Sequence, residues 1–258
     1  MIDLNFDEQT GLAEVVLNAP KKLNALDADN LQELHAKLET AATAGAKALL
    51  LRGEGRGFCA GRDIALVDPA TDDVAGYLDG HVTAVMRALS DFPAPTFAAV
   101  HGACLGVGLG LALACDVVYV AEAAKLGSPF ANLGATLDSG GHWLFTERLG
   151  PHRTLDLIYT AEFMNGRDAV EQGLFSRWVA NDELLEFTRE RAIRAAGGAQ
   201  LAFAASKKLV HEIRDQRIGM WQSIANENTA QAELCSSSDY AEGFAAFQQK
   251  RRPNFTGQ

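Results

Sequence analysis

The residues of this sequence that are best suited to chemistry are one carboxylate and two glycine-rich segments. Asp138 lies in the stretch LGATLDSGG (133–141), between an apolar run and a pair of glycines. Apolar surroundings raise the pKa of a carboxylate and make it a stronger base, so one interpretation of Asp138 is a proton carrier. Asp is also a favoured N-cap, and the second interpretation is a structural cap on a helix over about 139–149. The stretch alone leaves both interpretations open.

The two glycine-rich segments are RGFCAGRDIA (56–65) and HGACLGVGLGLALACD (101–116). Each follows an expected strand and precedes a helix, so its backbone N–H groups can approach a ligand closely, and the helix N-terminus favours negative charge. A pair of such N–H groups would form an oxyanion hole. An equally simple interpretation is that the glycines only let a helix pack tightly against its sheet. The second segment lacks the Lys-Ser/Thr of a phosphate loop and does not complete a dinucleotide-binding fingerprint.

Alternating strands and helices are expected to position these segments. The N-terminal sequences IDLNF and LAEVVLN predict a hairpin, and Asp27 can cap a helix that ends at Gly45. The apolar segments KALLLRG, TFAAVHG and DVVYVA then predict strands, separated by helices over about 72–90 and 107–115. Such alternation requires crossover connections and predicts an α/β fold with mainly parallel strands. After about residue 197 only helices are expected.

Composition and charge exclude several functional classes. The chain has 258 residues, of which 48% are hydrophobic, so it can form a sizeable core. Its formal net charge of −10 argues against nucleic acid and anionic membranes as partners. The four cysteines form no CxxC pair, which favours a reducing compartment, and neither a leader nor a membrane-spanning apolar stretch is evident. We therefore expect a cytoplasmic protein, and no residue cluster predicts a metal site.

Six motifs, taken in order, resemble the crotonase, or enoyl-CoA hydratase/isomerase, family. They are LNALD (23–27), FCAGRDI (58–64), HGACLGVGLGLALACD (101–116), LDSGG (137–141), AVEQGLFSRWV (169–179) and EGFAAFQQKRRPNFTG (242–257). The resemblance spans nearly the whole chain. It implies an α/β spiral of ββα units over residues 1–196 and a helical trimerisation region over 197–258. It also implies an acyl-CoA thioester as substrate, no separate cofactor, and a homotrimer or a dimer of trimers.

The resemblance also implies roles for particular residues. Members of the family stabilise an enolate-like thioester anion with two backbone N–H groups, which match those of Arg62 and Val107 here. The positions that resemble the family's contacts to coenzyme A are Lys22, Leu23, Ala25, Ala60, Asp63, Ile64 and Gly106. Phe130, Leu133 and Trp143 are expected to line the pocket for the acyl group.

The sequence departs from the family's hydratases at both catalytic glutamates, whose positions correspond to Gly110 and Phe130. Hydration adds water to one carbon and a proton to another, work that two carboxylates normally share, whereas one base suffices to move a double bond. Asp138 matches the position where isomerases of the family, including the dienoyl-CoA and epoxyphenylacetyl-CoA isomerases, place an aspartate. We therefore predict an isomerase of an unsaturated or ring acyl-CoA, with Asp138 as the proton shuttle.

Three other functions remain open. An enoyl-CoA hydratase could use Asp138 together with an ordered water. The family's 4-chlorobenzoyl-CoA dehalogenase resembles this chain in placing a nucleophilic Asp at the position of Asp138. At the position of Phe130 that enzyme has a Trp, and the indole N–H of this Trp helps orient the carboxylate. Phenylalanine has no such donor. The third alternative is a protein that binds CoA esters without turnover.

Overall fold

A six-stranded sheet forms the centre of the computed structural model, which describes residues 1–65 and 67–258. The strands are β1 (Ile2–Asp7), β2 (Leu12–Leu17), β3 (Ala48–Gly53), β4 (Thr96–Val100), β5 (Ala103–Leu105), β6 (Val117–Ala121), β7 (Lys125–Gly127), β8 (Met164–Asn165) and β9 (Arg177–Val179). The order in the large sheet is β1-β2-β3-β4-β6-β9. Strands β1 and β2 form the expected antiparallel hairpin, and the other neighbouring pairs are parallel. The predicted α/β fold is confirmed.

The central strands are mainly apolar and largely buried because helices cover the sheet. All residues of β2 and β4 are buried. Continuous burial of this kind is typical of parallel strands that have no face in water. The helices are α1 (Ala28–Thr43), α2 (Thr83–Ser90), α3 (Val107–Ala114), α4 (Gly141–Leu149), α5 (Pro151–Thr160), α6 (Gly166–Glu171), α7 (Leu184–Ala196), α8 (Gln200–Gln216), α9 (Met220–Leu234) and α10 (Ser238–Gln248).

The start of α1 follows the predicted chemistry. The Asp27 carboxylate accepts the Asn30 N–H at 2.9 Å, and the Asn30 side chain accepts the Asp27 N–H in return. This reciprocal pair satisfies two backbone donors that the first turn of a helix leaves without partners. The helix then ends at Thr43, two residues before Gly45.

A second, three-stranded sheet has the order β5-β7-β8 and was not predicted. Its strands have three, three and two residues, too few to show a period-two pattern in the sequence. The predicted helix within 72–90 also differs in detail, since Gly76–Val82 form a π-helical turn that runs directly into α2. Turns of this kind are frequent at functional sites.

Three helices, α8 to α10, follow α7. The Lys207 ammonium on α8 contacts the Asp116 carboxylate and the Phe92 carbonyl oxygen, both at 3.0 Å, which fastens α8 to the sheet. On α9 and α10, Trp221 and Phe247 are 77% and 85% exposed. Division of the chain at residue 196 and assembly into trimers stay predictions. Within the described ranges, no helix has the length and apolar character needed to cross a membrane.

Candidate active site

The two loops that carry the glycine-rich segments run side by side. The Cys59 N–H donates to the Ala103 carbonyl oxygen at 3.0 Å, and the Leu105 N–H donates to the Cys59 oxygen at 2.9 Å. Gly61 has a φ of +99°, and a Cβ placed on it would lie 3.0 Å from the Leu105 oxygen. Glycine suits this position because it tolerates both the close approach and the left-handed backbone. These contacts hold the two loops against each other.

The two expected oxyanion donors follow this contact directly. Arg62 comes after Gly61, and Val107 is the first residue of α3, after Gly106 with a φ of +53°. Within residues 1–65 and 67–258, neither the Arg62 N–H nor the Val107 N–H donates a hydrogen bond to the chain. Both can therefore bind an oxygen atom of a ligand, and the N-terminal end of α3 favours negative charge there.

Asp138 is half-buried beside a groove of about 670 Å³. The groove lies between α2, the start of α4 and the end of α8, and its lining includes Met86 and Trp143. Burial raises the pKa of the Asp138 carboxyl, whereas a 2.8 Å hydrogen bond from the Ser139 hydroxyl and the charge of Arg62 act against this rise. The net effect is a raised pKa, which makes the carboxylate a stronger base.

The alternative role of Asp138 as a helix cap is wrong. Helix α4 begins at Gly141, and its N-cap is Gly140, which has a φ of +72° and no capping side chain. The Asp138 carboxylate accepts the Ser139 hydroxyl instead, and Ser139 itself has a φ of +51°. Two successive left-handed residues turn the chain between the carboxylate and the helix, so an Asp at this position is not placed as an N-cap would be.

The segment that carries Asp138 packs against α3. A Cβ placed on Gly110 would lie 2.5 Å from the Cβ of Ser139 and 2.9 Å from its carbonyl oxygen. Ser139 thus fills the space into which a side chain at position 110 would extend. Gly110 lies about one helical turn after Val107, so this contact places Ser139 about one turn along α3 from the expected oxyanion donor.

The three expected pocket residues have different surroundings. The Phe130 ring lies against the oxyanion loop, with its Cζ 3.3 Å from a Cβ placed on Gly106. Trp143 lines the groove beside Asp138 and is 39% exposed. Leu133 is in the same 3-10 turn as Phe130, is 66% exposed, and does not line the described part of the groove. Contact of these residues with an acyl group stays a prediction.

The segments expected to contact coenzyme A lie side by side, with Lys22 and Ile64 exposed and Ala25 buried. The Ala60 N–H donates to the Leu23 oxygen at 2.9 Å, which joins the two segments through their backbones. Lys22 Nζ lies 2.9 Å from the Asp63 carboxylate, and this pair raises the pKa of Lys22 and lowers that of Asp63. Ile64 is 55% exposed beside them. An exposed cation and an exposed apolar side chain suit a ligand with both phosphate and apolar parts.

Asn24 has a structural role that the sequence did not indicate. Its side chain is fully buried, and its amide donates to the oxygens of Glu54, Gly57 and Phe58 at 3.0, 2.8 and 3.2 Å. Its Oδ1 accepts the Ala19 N–H at 2.8 Å. The amide therefore fixes the backbone on either side of it, that of Leu23 and Ala25. The LNALD motif was the one feature that could have drawn attention to it.

The Arg62 side chain also makes contacts that the sequence did not indicate. Its guanidinium donates two hydrogen bonds to the Asp72 carboxylate, at 2.7 and 2.5 Å, and lies over the Tyr77 ring, 4.1 Å from the centroid. Tyr77 is buried in the π-helical turn, and its hydroxyl donates to the Leu26 oxygen at 3.1 Å. Asp72 precedes that turn in a stretch without a motif, so nothing in the sequence connects these residues.

Comparisons with known proteins agree with this fold. A family model described as Enoyl-CoA hydratase/isomerase matches residues 7–258. A probable enoyl-CoA hydratase of Rhodobacter capsulatus is 35% identical over 98% of both chains, and the 1,2-epoxyphenylacetyl-CoA isomerase of Escherichia coli is 30% identical over 96% of both. The solved enoyl-CoA hydratase of Bacillus anthracis has a TM-score of 0.90, with 27% identity over 100% of this chain and 99% of that one. Hydratase is the commoner activity in the relatives' names.

Proposed function

The chain belongs to the enoyl-CoA hydratase/isomerase family and has its crotonase fold, and from this premise we propose that it isomerises an unsaturated or ring acyl-CoA. In the proposed reaction Asp138 carries one proton between two carbons of the acyl group. Membership makes the protein an acyl-CoA enzyme of this family. The choice of isomerisation over hydration is our own inference.

One observation carries that choice: Ser139 occupies the space beside Gly110. The resemblance places one glutamate of the hydratases at this position, and here even a Cβ would approach Ser139 to 2.5 Å. Phe130 stands at the position of the other glutamate. Asp138 is the half-buried carboxylate of the groove, whereas Asp91 and Asp215, which also line it, are exposed. A site with one such base supports proton transfer better than the two-carboxylate addition of water.

The proposed mechanism uses backbone donors and one side chain. The N–H groups of Arg62 and Val107 hold the thioester oxygen, and Asp138 removes a proton from one carbon of the acyl group. The electron pair moves onto the thioester oxygen as an enolate, and the protonated Asp138 then returns the proton to a different carbon. Loss of one oxyanion donor typically costs about a hundred- to a thousandfold in rate. Because the proton is returned, the step consumes no co-reactant.

Substrate binding is proposed to use the exposed parts of the segments 22–25 and 60–64, with Lys22 and Ile64 at the surface. The coenzyme A part of the thioester would lie along these backbones, and the acyl part would enter the groove beside Trp143. No separate cofactor is required for the proposed reaction. The exposed aromatic side chains of Trp221 and Phe247 support assembly into a homotrimer or a dimer of trimers, since exposed apolar surface of this kind favours a partner.

A hydratase is the second candidate, and the names of the relatives favour it. In that reaction Asp138 alone would have to activate a water molecule and supply the α-proton of the product. An Asp with a raised pKa can exchange a proton with water, so the chemistry is possible with one carboxylate. The site lacks the second carboxylate that normally shares the addition of water with the first.

A spectrophotometric comparison of two substrates tests the proposal. Purified protein is given crotonyl-CoA or a 3-enoyl-CoA, and the absorbance of the conjugated enoyl thioester is followed. We expect that absorbance to grow from the 3-enoyl substrate while crotonyl-CoA stays intact. The Asp138→Asn variant should lose this activity but still bind the CoA ester, and Asp156→Asn, the same change at an exposed position on α5, should retain it.

Each other outcome has a definite meaning. Loss of the crotonyl-CoA absorbance would identify a hydratase and contradict our argument from the missing glutamates. Undiminished turnover by the Asp138→Asn variant would remove Asp138 from the mechanism. Binding of both esters without turnover would favour a CoA-ester-binding role.

A further inference from the structure

The guanidinium of Arg62 is held in place from two sides. Asp72 binds it through both carboxylate oxygens, and the Tyr77 ring lies beneath it. Tyr77 is itself fixed, because it is buried and its hydroxyl donates to the Leu26 oxygen. A bidentate pair on an aromatic ring is a rigid arrangement for an arginine, since the planar fork loses little freedom once both contacts are made.

This arrangement lies within electrostatic range of the proposed base. The charge of Arg62 acts on Asp138, and Asp138 acts in turn on Arg62 and Tyr77, yet the side-chain hydrogen bond of Asp138 comes from Ser139. A carboxylate that meets a free guanidinium normally forms a strong paired contact. In this structure the Arg62 guanidinium is paired with Asp72 instead of Asp138.

The other titratable groups that line the groove with Asp138 belong to three helices or directly follow one of them. Arg87 of α2 and Asp91 directly after it are exposed, as is His142 of α4. From α8, Arg214 and Asp215 line the groove as a mutual pair, with two hydrogen bonds of 2.8 and 2.9 Å. Residues of α3 that line the groove carry no titratable side chain. Solvent and pairing screen these charges, so Arg62 is the cation with the most direct effect on Asp138.

We propose that Asp72 is a positioning residue, which holds the Arg62 guanidinium on Tyr77 and balances its charge so that Asp138 remains available as a base. The inference rests on the proposed function, in which Asp138 carries the proton. Without Asp72, the positive charge of Arg62 would be uncompensated and the guanidinium could turn to Asp138. A carboxylate beside an unbalanced arginine has a lower pKa and is a weaker base, and it must leave that contact before it can accept a proton.

A double-mutant cycle separates this role from a merely structural one. The variants are Asp72→Asn, Arg62→Gln and the combination of both, and each retains the backbone N–H of residue 62. Aspartate is labelled with carbon-13 at the side-chain carboxyl, and the Asp138 signal is identified as the one that disappears in the Asp138→Asn variant. Its titration is followed by NMR in each variant. The matched control is Glu242→Gln, which breaks a similar bidentate pair with Arg251.

The expected result is a pair of opposite shifts. Asp72→Asn should lower the pKa of Asp138 by about one pH unit, the low end of the range for a nearby opposite charge. Arg62→Gln should raise it, because the cation is lost while the Asp72 charge stays. Adding Asp72→Asn to Arg62→Gln should lower the pKa by much less than one pH unit, because no guanidinium is then left for Asp72 to hold, and Glu242→Gln should leave it unchanged. The acid limb of the kcat/KM profile should move with the NMR titration.

Two outcomes would overturn the proposal. One is an unchanged pKa of Asp138 in the Asp72→Asn variant. The other is that Asp72→Asn lowers this pKa by the same amount whether residue 62 is Arg or Gln, since such an effect would not act through the guanidinium. The NMR titration needs no turnover, so it also decides the role of Asp72 if the enzyme assay fails. If the enzyme assay shows that the protein is not an isomerase, the effect of Asp72 on the pKa of Asp138 is still measured.

Discussion

Replacement of Gly110 by alanine tests the packing on which the proposed function depends. A Cβ at this position would lie 2.5 Å from the Ser139 Cβ, about 1 Å inside the best separation of two carbons, and 2.9 Å from the Ser139 oxygen. Overpacking typically costs 1–3 kcal/mol, and we take about 3 because one of the two atoms is backbone. The helix propensity of alanine returns about 0.5–1 kcal/mol. We expect a net loss of about 2 kcal/mol in the free energy of unfolding.

The assay combines thermal unfolding with turnover. For a chain of this size, about 2 kcal/mol corresponds to a fall in Tm of about 4–8 °C. To relieve the contact, Ser139 must move and carry Asp138 with it, and a misplacement of about 1 Å can cost about a hundredfold in rate. The matched control is Gly80→Ala, because a Cβ there meets nothing within 4 Å in a helical turn. That change should raise the stability slightly, by about 0.5–1 kcal/mol.

A Gly110→Ala variant with wild-type Tm and turnover would refute this reasoning. It would mean that the segment 137–141 has room to adjust at no cost. The argument that position 110 cannot carry a side chain would then fail, and with it the main support for isomerisation over hydration.

Further predictions concern stability, pH and thiol reactivity. Asn24→Ala removes an amide that makes four hydrogen bonds in the interior, and chemical denaturation should show a loss of about 3 kcal/mol. Asp138→Asn should stabilise the protein at pH 7. The folded-state pKa of Asp138 is raised, so the wild type loses stability as the pH rises from the usual pKa of 3.8 through the folded-state pKa. Below pH 3.8 the two proteins should have the same free energy of unfolding. Burial raises the pKa of Cys59 to about 12, so a thiol reagent should modify exposed Cys235 quickly and Cys59 only after unfolding.

The large sheet could be predicted because its strands are long enough to show a pattern. β1 and β2 alternate or run apolar on either side of a turn, and β3, β4 and β6 are apolar segments separated by helices. The strands of the second sheet contain two or three residues and are fixed by pairing with distant backbone, which leaves no local signal. Strand β9, at the edge of the large sheet, also has only three residues, and for this reason it was not predicted within the motif 169–179.

The candidate site divides in the same way. The motif order indicated Arg62 and Val107 as backbone donors, a role that stays a prediction, and the structure places each of them directly after a glycine with positive φ. The surroundings of Asp138 were harder to predict, since they depend on two left-handed residues that put Gly140 at the N-cap. Side-chain partners far apart in the sequence, such as Arg62 and Tyr77, follow from tertiary packing alone.

Under the proposed function, the contact between Gly110 and Ser139 is what separates this chain from the relatives that are named hydratases. Both residues lie in segments that carry family motifs, and Gly110 stands at the position that corresponds to a glutamate of the hydratases. Their effect on the reaction depends on the pair, because Ser139 takes up the space beside α3 and its hydroxyl donates to Asp138 at 2.8 Å. In the proposed mechanism Ser139 therefore has two effects, since it excludes a side chain at position 110 and donates to Asp138. The proposal assigns the choice of reaction to this contact, while the proposed oxyanion donors, Arg62 and Val107, would serve any chemistry that forms a thioester enolate.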